Sequence, residues 1–442
     1  MGRARGPALA ASVAVVGALV LAAGAAPEAW KTKPLKSVLA TGIPLIYHQD
    51  KVSPMTVVGI FAAGGRAAVP EGLDGLAYLA TRLTLEIPDE DKARDLMTQA
   101  TRMTYLCEED CSIVFIECLS GNLEPALRVA GRIIQDPLMS GLRVSRSKEL
   151  MELLEKAEQD DAVLAARQAT MKALFAGRGY GSSTYGAAES RKAIGRKDVI
   201  DFYRRHFTAS SVFFAVITDL DQAPVQALLE RHFARFPEGG RPEVPSPSPA
   251  VPEGDGVRLA KDLKQTYIGR AYILPAPSPD DHAKGLLLEV LVGKGPGSRL
   301  WGLRMDERLA YNVDSRLTWT RSAGVLEAFL ESENAKSAQA AEALDRTLRA
   351  LWEEGVGEAE LEAAKAVART EFLRSVESKP ERALRLGRFE VLGLGFERVL
   401  GLHEAIDGVT LEAFNVYIKS VLAPDKALGV TVGPEAPTGP GG

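Results

Sequence analysis

Apolar and polar positions first alternate in short runs, then recur at helical spacing, and the same succession appears twice along the chain. LKSVLATGIPLIYHQD pairs two strand-like runs across Thr41-Gly42, the spacing of a β-hairpin, and MTVVGIFA (Met55 to Ala62) is a further strand. The period then lengthens to three or four residues. Helices are predicted from about Leu73, at Glu124 to Ile134, at Ser147 to Phe175 and at Arg196 to His206, which leads into a strand over Ser211 to Ile217. This predicts one α+β domain over residues 27–236.

The stretch Phe236 to Gly256 is proline-rich and lacks apolar periodicity, so a semi-rigid linker is expected over residues 237–257. Beyond it the order of elements returns. TYIGRAYIL (Thr266 to Leu274) is a strand like MTVVGIFA, and helices are predicted at Asp281 to Leu291, Ala335 to Glu354 and Glu358 to Ser375. A helix at Leu411 to Val421 then leads into ALGVTVGPE, much as Asp198 to His206 leads into VFFAVITDL. Recurrence of this kind suggests internal duplication, with a second domain over residues 258–435 and a tail at 436–442. The predicted fold is α+β: two homologous domains, each a mainly antiparallel sheet with helices packed on one face.

Composition leaves that picture intact. With 442 residues, 46% hydrophobic and 25% charged, the chain is too long for one core and resembles an ordinary globular protein. The first 26 residues, MGRARGPALAASVAVVGALVLAAGAA, join two arginines to an apolar run and end on small residues, which reads as a signal peptide. The run is shorter than the ~20 residues of a spanning helix, so a periplasmic or otherwise exported chain is expected, with an uncleaved anchor as the alternative. No later run is long enough to span. Net charge moves from −5 to −7 on losing Arg3 and Arg5, which argues against a nucleic-acid partner.

Candidate chemistry is sparse. Cys107 and Cys111 flank an acidic turn between two strand-like runs, which allows either a disulfide across the hairpin or free buried thiols, with Cys118 left over. Zinc is a weaker third alternative, because a CxxxC without a second Cys or His pair supplies too few ligands. His48, His206, His232, His282 and His403 are scattered, and none pairs with another three or four residues away. No GxSxG elbow or phosphate-binding loop occurs.

Three stretches carry a resemblance: FAAGGRAAVPEGLDGLAYLATRL (Phe61 to Leu83), LMTQATRMTYLCEEDCSIVFIECL (Leu96 to Leu119) and GPGSRLWGLRMDERLAYNV (Gly295 to Val313). In their order and spacing the chain resembles the insulinase, pitrilysin and mitochondrial-processing-peptidase family of inverted zincins. Active members carry His-x-x-Glu-His on the first helix, where two imidazoles hold Zn²⁺ and the carboxylate activates its water. Laid on this sequence, those positions are Tyr78, Thr81 and Arg82. Neutral tyrosine and threonine are poor zinc ligands, and the fixed charge of Arg82 repels the ion. The resemblance puts the third ligand near Glu155 or Glu152. Solvated carboxylates are the plain expectation there; the sharper one is that Glu155 pairs with Arg82 and fills the vacated pocket.

The resemblance also implies an Arg and a Tyr that reach the reaction from the second domain, and LRMDERLAYNV keeps them as Arg304 and Tyr311, seven residues apart. Met305 and Arg308 replace the Glu and Gly of the family phrase. A packed aromatic and a surface charge are the alternative for the pair. In two-chain members one subunit carries the zinc motif and the other lacks it. The chain is therefore expected to be a non-catalytic partner of an HxxEH-bearing peptidase subunit, enclosing a peptide or unfolded segment and supplying Arg304 and Tyr311. No cofactor is expected in this chain, and zinc only in the partner. Peptide would add as a strand near Ala100 to Tyr105, with Arg102 and the acidic turn Glu108 to Asp110 tuning that edge. The competing expectation is a degenerate homodimeric scaffold with no part in proteolysis.

Overall fold

The computed structural model describes residues 30, 32–87, 91, 93, 94, 96, 100–254 and 256–435. The signal peptide and the tail expected at 436–442 lie outside the described residues. The chain is α+β with two halves built on one plan. The first sheet has the order β1-β2-β6-β3-β5-β4, formed by β1 (Leu35–Val38), β2 (Pro44–Gln49), β3 (Met55–Ala63), β4 (Arg102–Cys107), β5 (Cys111–Leu119) and β6 (Val212–Thr218). The second has the order β7-β11-β8-β10-β9, from β7 (Val257–Ala260), β8 (Gln265–Leu274), β9 (Asn312–Trp319), β10 (Gly324–Glu333) and β11 (Leu428–Gly433).

The two orders superpose strand for strand once β1 is set aside. In each, a central strand (β3 or β8) runs antiparallel to both neighbours, and the last strand (β6 or β11) runs parallel to the strand outside it. The edge after the hairpin partner is β4 in one half and β9 in the other. This is the topology of a duplicated unit.

Local signals explain most boundaries. The long periodic stretch Ser147 to Phe175 is two helices, Gly141–Asp160 and Ala162–Leu174, because the Asp161 carboxylate accepts from the amides of Val163 and Leu164 and starts a second helix. The helix Gln222–His232 and the helix Lys379–Val391 had no place in the sequence expectation. Residues 236–252 carry no helix or strand; Arg321 donates to the carbonyl of Val244 and Ser322 to that of Pro247, which ties this stretch to the second half.

Each half lays its own helices on one face of its sheet. The core under the first includes Leu79, Leu83, Leu127, Val199 and Phe202 packed on Val58, Ile60 and Phe214. The other face of each sheet is covered by a helix from the opposite half. Helix Ala162–Leu174 packs on β8 and β11, burying Ala166, Met171 and Leu174 against Tyr267, Val325, Val430 and Val432. Helix Lys379–Val391 packs on β3 and β6, burying Ala383, Leu386 and Phe389 near Phe61, Ile113 and Ala215. Contact there is close: a Cβ on Gly387 would come within 2.0 Å of the Phe61 ring, so only glycine fits that crossing.

Candidate functional site

Between the halves lies a hollow of about 610 Å³, open to solvent. One wall is the helix Leu76–Leu83, the edge strand β4 and the loop after β3; the facing wall is the helix Lys379–Val391 with His282 and Trp319. The turn between β4 and β5 projects between them. It is held by backbone bonds from Gly64, Arg66 and Ala67 to the carbonyls of Asp110, Glu108 and Glu109. A Cβ on Gly65 would lie 2.3 Å from the Glu108 carbonyl oxygen, and Gly65 has φ +52°, so the paired glycines of FAAGGRAAV serve this close approach.

The helix expected from about Leu73 runs over Leu76–Leu83, and its Tyr78, Thr81 and Arg82 are each engaged inside the fold. Tyr78 is buried and lies 2.9 Å, hydroxyl to hydroxyl, from Tyr105; its ring meets Tyr185 edge-on at 4.9 Å. Burial, then the bond to Tyr105, pushes its ionisation well above the ordinary phenol range, so the group stays neutral. The fully buried Thr81 hydroxyl sits 2.7 Å from both the Ala77 carbonyl and the Ser112 hydroxyl. Arg82 donates to Tyr105, Ser147 and Glu86, each at 3.2 Å, and Arg143 holds the other oxygen of Glu86 at 2.8 Å.

The expected pairing of Arg82 with Glu155 is not formed. Glu155 instead accepts from Arg191 at 2.5 Å, while Arg82 finds its carboxylate one helical turn ahead at Glu86. The i, i+4 partner is supplied by the helix itself, and Arg191 lies nearer to Glu155 than any residue of the degenerate site. A neutral phenol, a saturated hydroxyl and a fixed guanidinium do not fit a zinc ion. Among the described residues, no three His, Cys, Asp or Glu side chains are grouped to hold a metal.

The cysteines are free thiols, so the Cys107–Cys111 bridge is not made; β-pairing sets Cys107 opposite Ser112 and Cys111 opposite Ala63. Burial pushes Cys107 up to about 12 and Cys111 well above its ordinary value, which leaves both protonated and poorly nucleophilic. Arg304 and Tyr311 lie away from the hollow. Arg304, on the short helix Trp301–Met305, is exposed with its guanidinium carbon 4.9 Å from the Trp301 ring centre. Tyr311, 54% exposed beside edge strand β9, donates to Glu333 at 2.8 Å.

Sequence reasoning missed the ionic frame of the hollow. Each acid of the turn Glu108 to Asp110 meets an arginine from another segment. Arg388 forks onto Glu108, Arg66 pairs with Glu109, and Arg321 holds Asp110 through side chain and backbone at 3.0 Å. Burial alone would raise Glu109, but Arg66 and Arg167 outweigh it and keep its carboxyl below the ordinary range. Glu158, without such a clamp, is raised by burial. No local signal marks these arginines, because their partners are between 43 and 280 residues distant.

A family model described as the peptidase M16 inactive domain matches residues 193–367. An uncharacterized zinc protease of Mycobacterium leprae is 26% identical over 389 residues, 86% of each chain. Subunit beta of the bovine mitochondrial-processing peptidase is 20% identical over 274 residues, 60% of this chain and 55% of that one. A crystal structure described as the peptidase M16 inactive domain, from Pseudomonas fluorescens, superposes with a TM-score of 0.83 at 19% identity, covering 92% of this chain and 98% of that one.

Proposed function

Because the chain belongs to the M16 peptidase family as a member of the inactive type, we propose that it is the exported, non-catalytic subunit of a two-chain zinc metallopeptidase. The observation that carries this is the rebuilt metal-site helix, where Tyr78, Thr81 and Arg82 are each committed to hydrogen bonds inside the fold. A chain that keeps the scaffold without the ligands serves by shape and contact. Likeness to a protein named as a processing-peptidase subunit supports a family partner, here one bearing HxxEH.

In this reading β4 offers its free edge to an extended segment, whose backbone groups would pair with it as an added strand. Arg304 and Tyr311, exposed beside the second sheet's edge, would face the partner and donate to a substrate carbonyl oxygen as negative charge grows on it. Export rests on the signal-like residues 1–26; among the described residues no helix is long and apolar enough to cross a membrane.

One observation favours the scaffold alternative: Tyr311 already donates its hydroxyl to Glu333 and Arg304 rests on Trp301, so both have local roles. Reconstitution with an HxxEH-bearing chain separates the two. Arg304→Ala or Tyr311→Phe should lower turnover of the mixed enzyme about a hundredfold while co-elution persists. Full turnover in both variants, or failure of the chains to associate, would leave the homodimeric scaffold as the better account.

A further inference from the structure

The ionic frame of the hollow leaves one cation over. Arg385 lies one helical turn from Arg388 and Phe389, on the face of helix Lys379–Val391 that looks into the hollow. Arg388 is spent on Glu108, and Arg66 and Arg167 share Glu109. Arg385 makes no hydrogen bond or ion pair among the described residues, although it is only partly exposed, and Glu289, Glu381 and Glu108 attract it only from beyond ion-pair distance. A guanidinium at such a depth ordinarily finds a carboxylate, because leaving the charge unmatched in a partly dry site is costly.

Its surroundings narrow what would match it. Trp319 and Phe389 line the same hollow, and His282 lies between them, 5.4 Å from the Trp319 ring and 4.8 Å from the Phe389 ring. Burial and the neighbouring Arg385 take His282 down to about 3, so it brings no second charge. Glu108, Glu109, Asp110 and Glu158 also line the walls, and a dianion such as phosphate would be repelled by them. The backbone of β4 runs past at Tyr105 and Leu106, with the Leu106 side chain 39% exposed. A cation with no ion pair among the described residues, aromatic flanks and an open strand edge meet in a single space.

We propose that the hollow is a binding site for acidic peptide segments, in which Arg385 receives one carboxylate of an extended chain lying along β4. This rests on the peptide-enclosing role above and names the class of segment it selects. The carboxylate is a Glu or Asp side chain or a peptide C-terminus, both of which present the same planar acceptor to the guanidinium fork.

Calorimetric titration of the whole chain tests it with three ten-residue probes: one with a central Glu and an amidated end, its Gln counterpart, and the Gln peptide with a free C-terminus. The Glu probe, the free-terminus probe or both should bind at least about tenfold tighter than the Gln amide, the scale of one hydrogen-bonded charge. Which of these two binds tighter identifies the carboxylate that is read. In Arg385→Gln the preference should fall within about twofold, and Arg385→Lys should keep part of it. Because Arg385 makes no hydrogen bond or ion pair among the described residues, and burial and Arg388 outweigh the longer-range pull of Glu289, Glu381 and Glu108 on its charge, Arg385→Gln should melt no lower than the parent, which a structural role would not allow. Equal binding of all three probes overturns the proposal while leaving peptide enclosure standing. Binding of none overturns it too, whereas the subunit role is judged separately by turnover of the reconstituted pair.

Discussion

The two helices that cross between the halves occupy corresponding places in a duplicated plan, yet they are fastened differently. Helix Ala162–Leu174 meets the second sheet through apolar packing of Ala166, Met171 and Leu174, with the buried Glu327 beneath it near Arg167 and Thr170. Helix Lys379–Val391 adds an ionic anchor to its apolar face. Lys379, itself buried, donates to the carbonyls of Asp50, Ser53 and Met55 at 2.7 to 2.9 Å. Arg382 pairs with Asp50 at 2.5 Å, with both side chains 6% exposed. Apolar docking is set by area and shape, whereas a buried ion pair chiefly punishes the loss of either member.

The largest effect should follow from removing the shared carboxylate. Asp50→Ala removes the carboxylate that the buried Arg382 guanidinium pairs with and should cost about 3–5 kcal/mol, read from the urea midpoint. A loss under about 1 kcal/mol would mean that the anchor is as replaceable as a surface pair. Overpacking the same crossing should do less. Gly387→Ala sets a methyl against Phe61, whose ring is stacked on Phe213 at 4.9 Å and has little room to yield, so a cost of about 1–3 kcal/mol is expected. An unchanged midpoint would show that the crossing is looser than its contacts imply.

Acid should separate the two helices in opposite senses, with the smallest effect of the three. Burial raises Asp50, but the Val52 amide and Arg382 outweigh it and hold its carboxyl below the ordinary range. Its stabilisation is therefore present above the unfolded value and is lost as pH falls through the folded one, below about 4. Glu327 is raised by burial, against Arg316 and Arg167, so the folded state holds its proton longer than the unfolded chain does. The crossing above Glu327 should gain stability as pH falls from neutral toward 5, before Asp50 protonates. Amide exchange over residues 162–174 and 379–391, corrected for intrinsic rates, reads both. Parallel changes in the two segments would remove the distinction.

Much of the plan was legible locally. The Thr41-Gly42 hairpin, the strand at Met55 and the recurrence of element order all follow from local patterns, and the structure carries each of them. The helix bearing Tyr78, Thr81 and Arg82 was legible as well, and the structure places it at Leu76–Leu83. The fate of those side chains was not. Glu155 was expected to reach Arg82 and instead turned to Arg191, because which face of Gly141–Asp160 meets which neighbour depends on packing between helices.

The sequence by itself therefore determined the repeated α+β units and the residue types Tyr78, Thr81 and Arg82 on one helix face, both of which are properties of short-range pattern and side-chain chemistry. Tertiary structure alone decided that each half lends a helix to the other's sheet, which acids the arginines clamp and that Arg385 faces the hollow with no ion pair among the described residues. Those outcomes depend on charges brought together from distant segments. An arginine's role is set by the last carboxylate within reach, and reach exists only once the chain has folded.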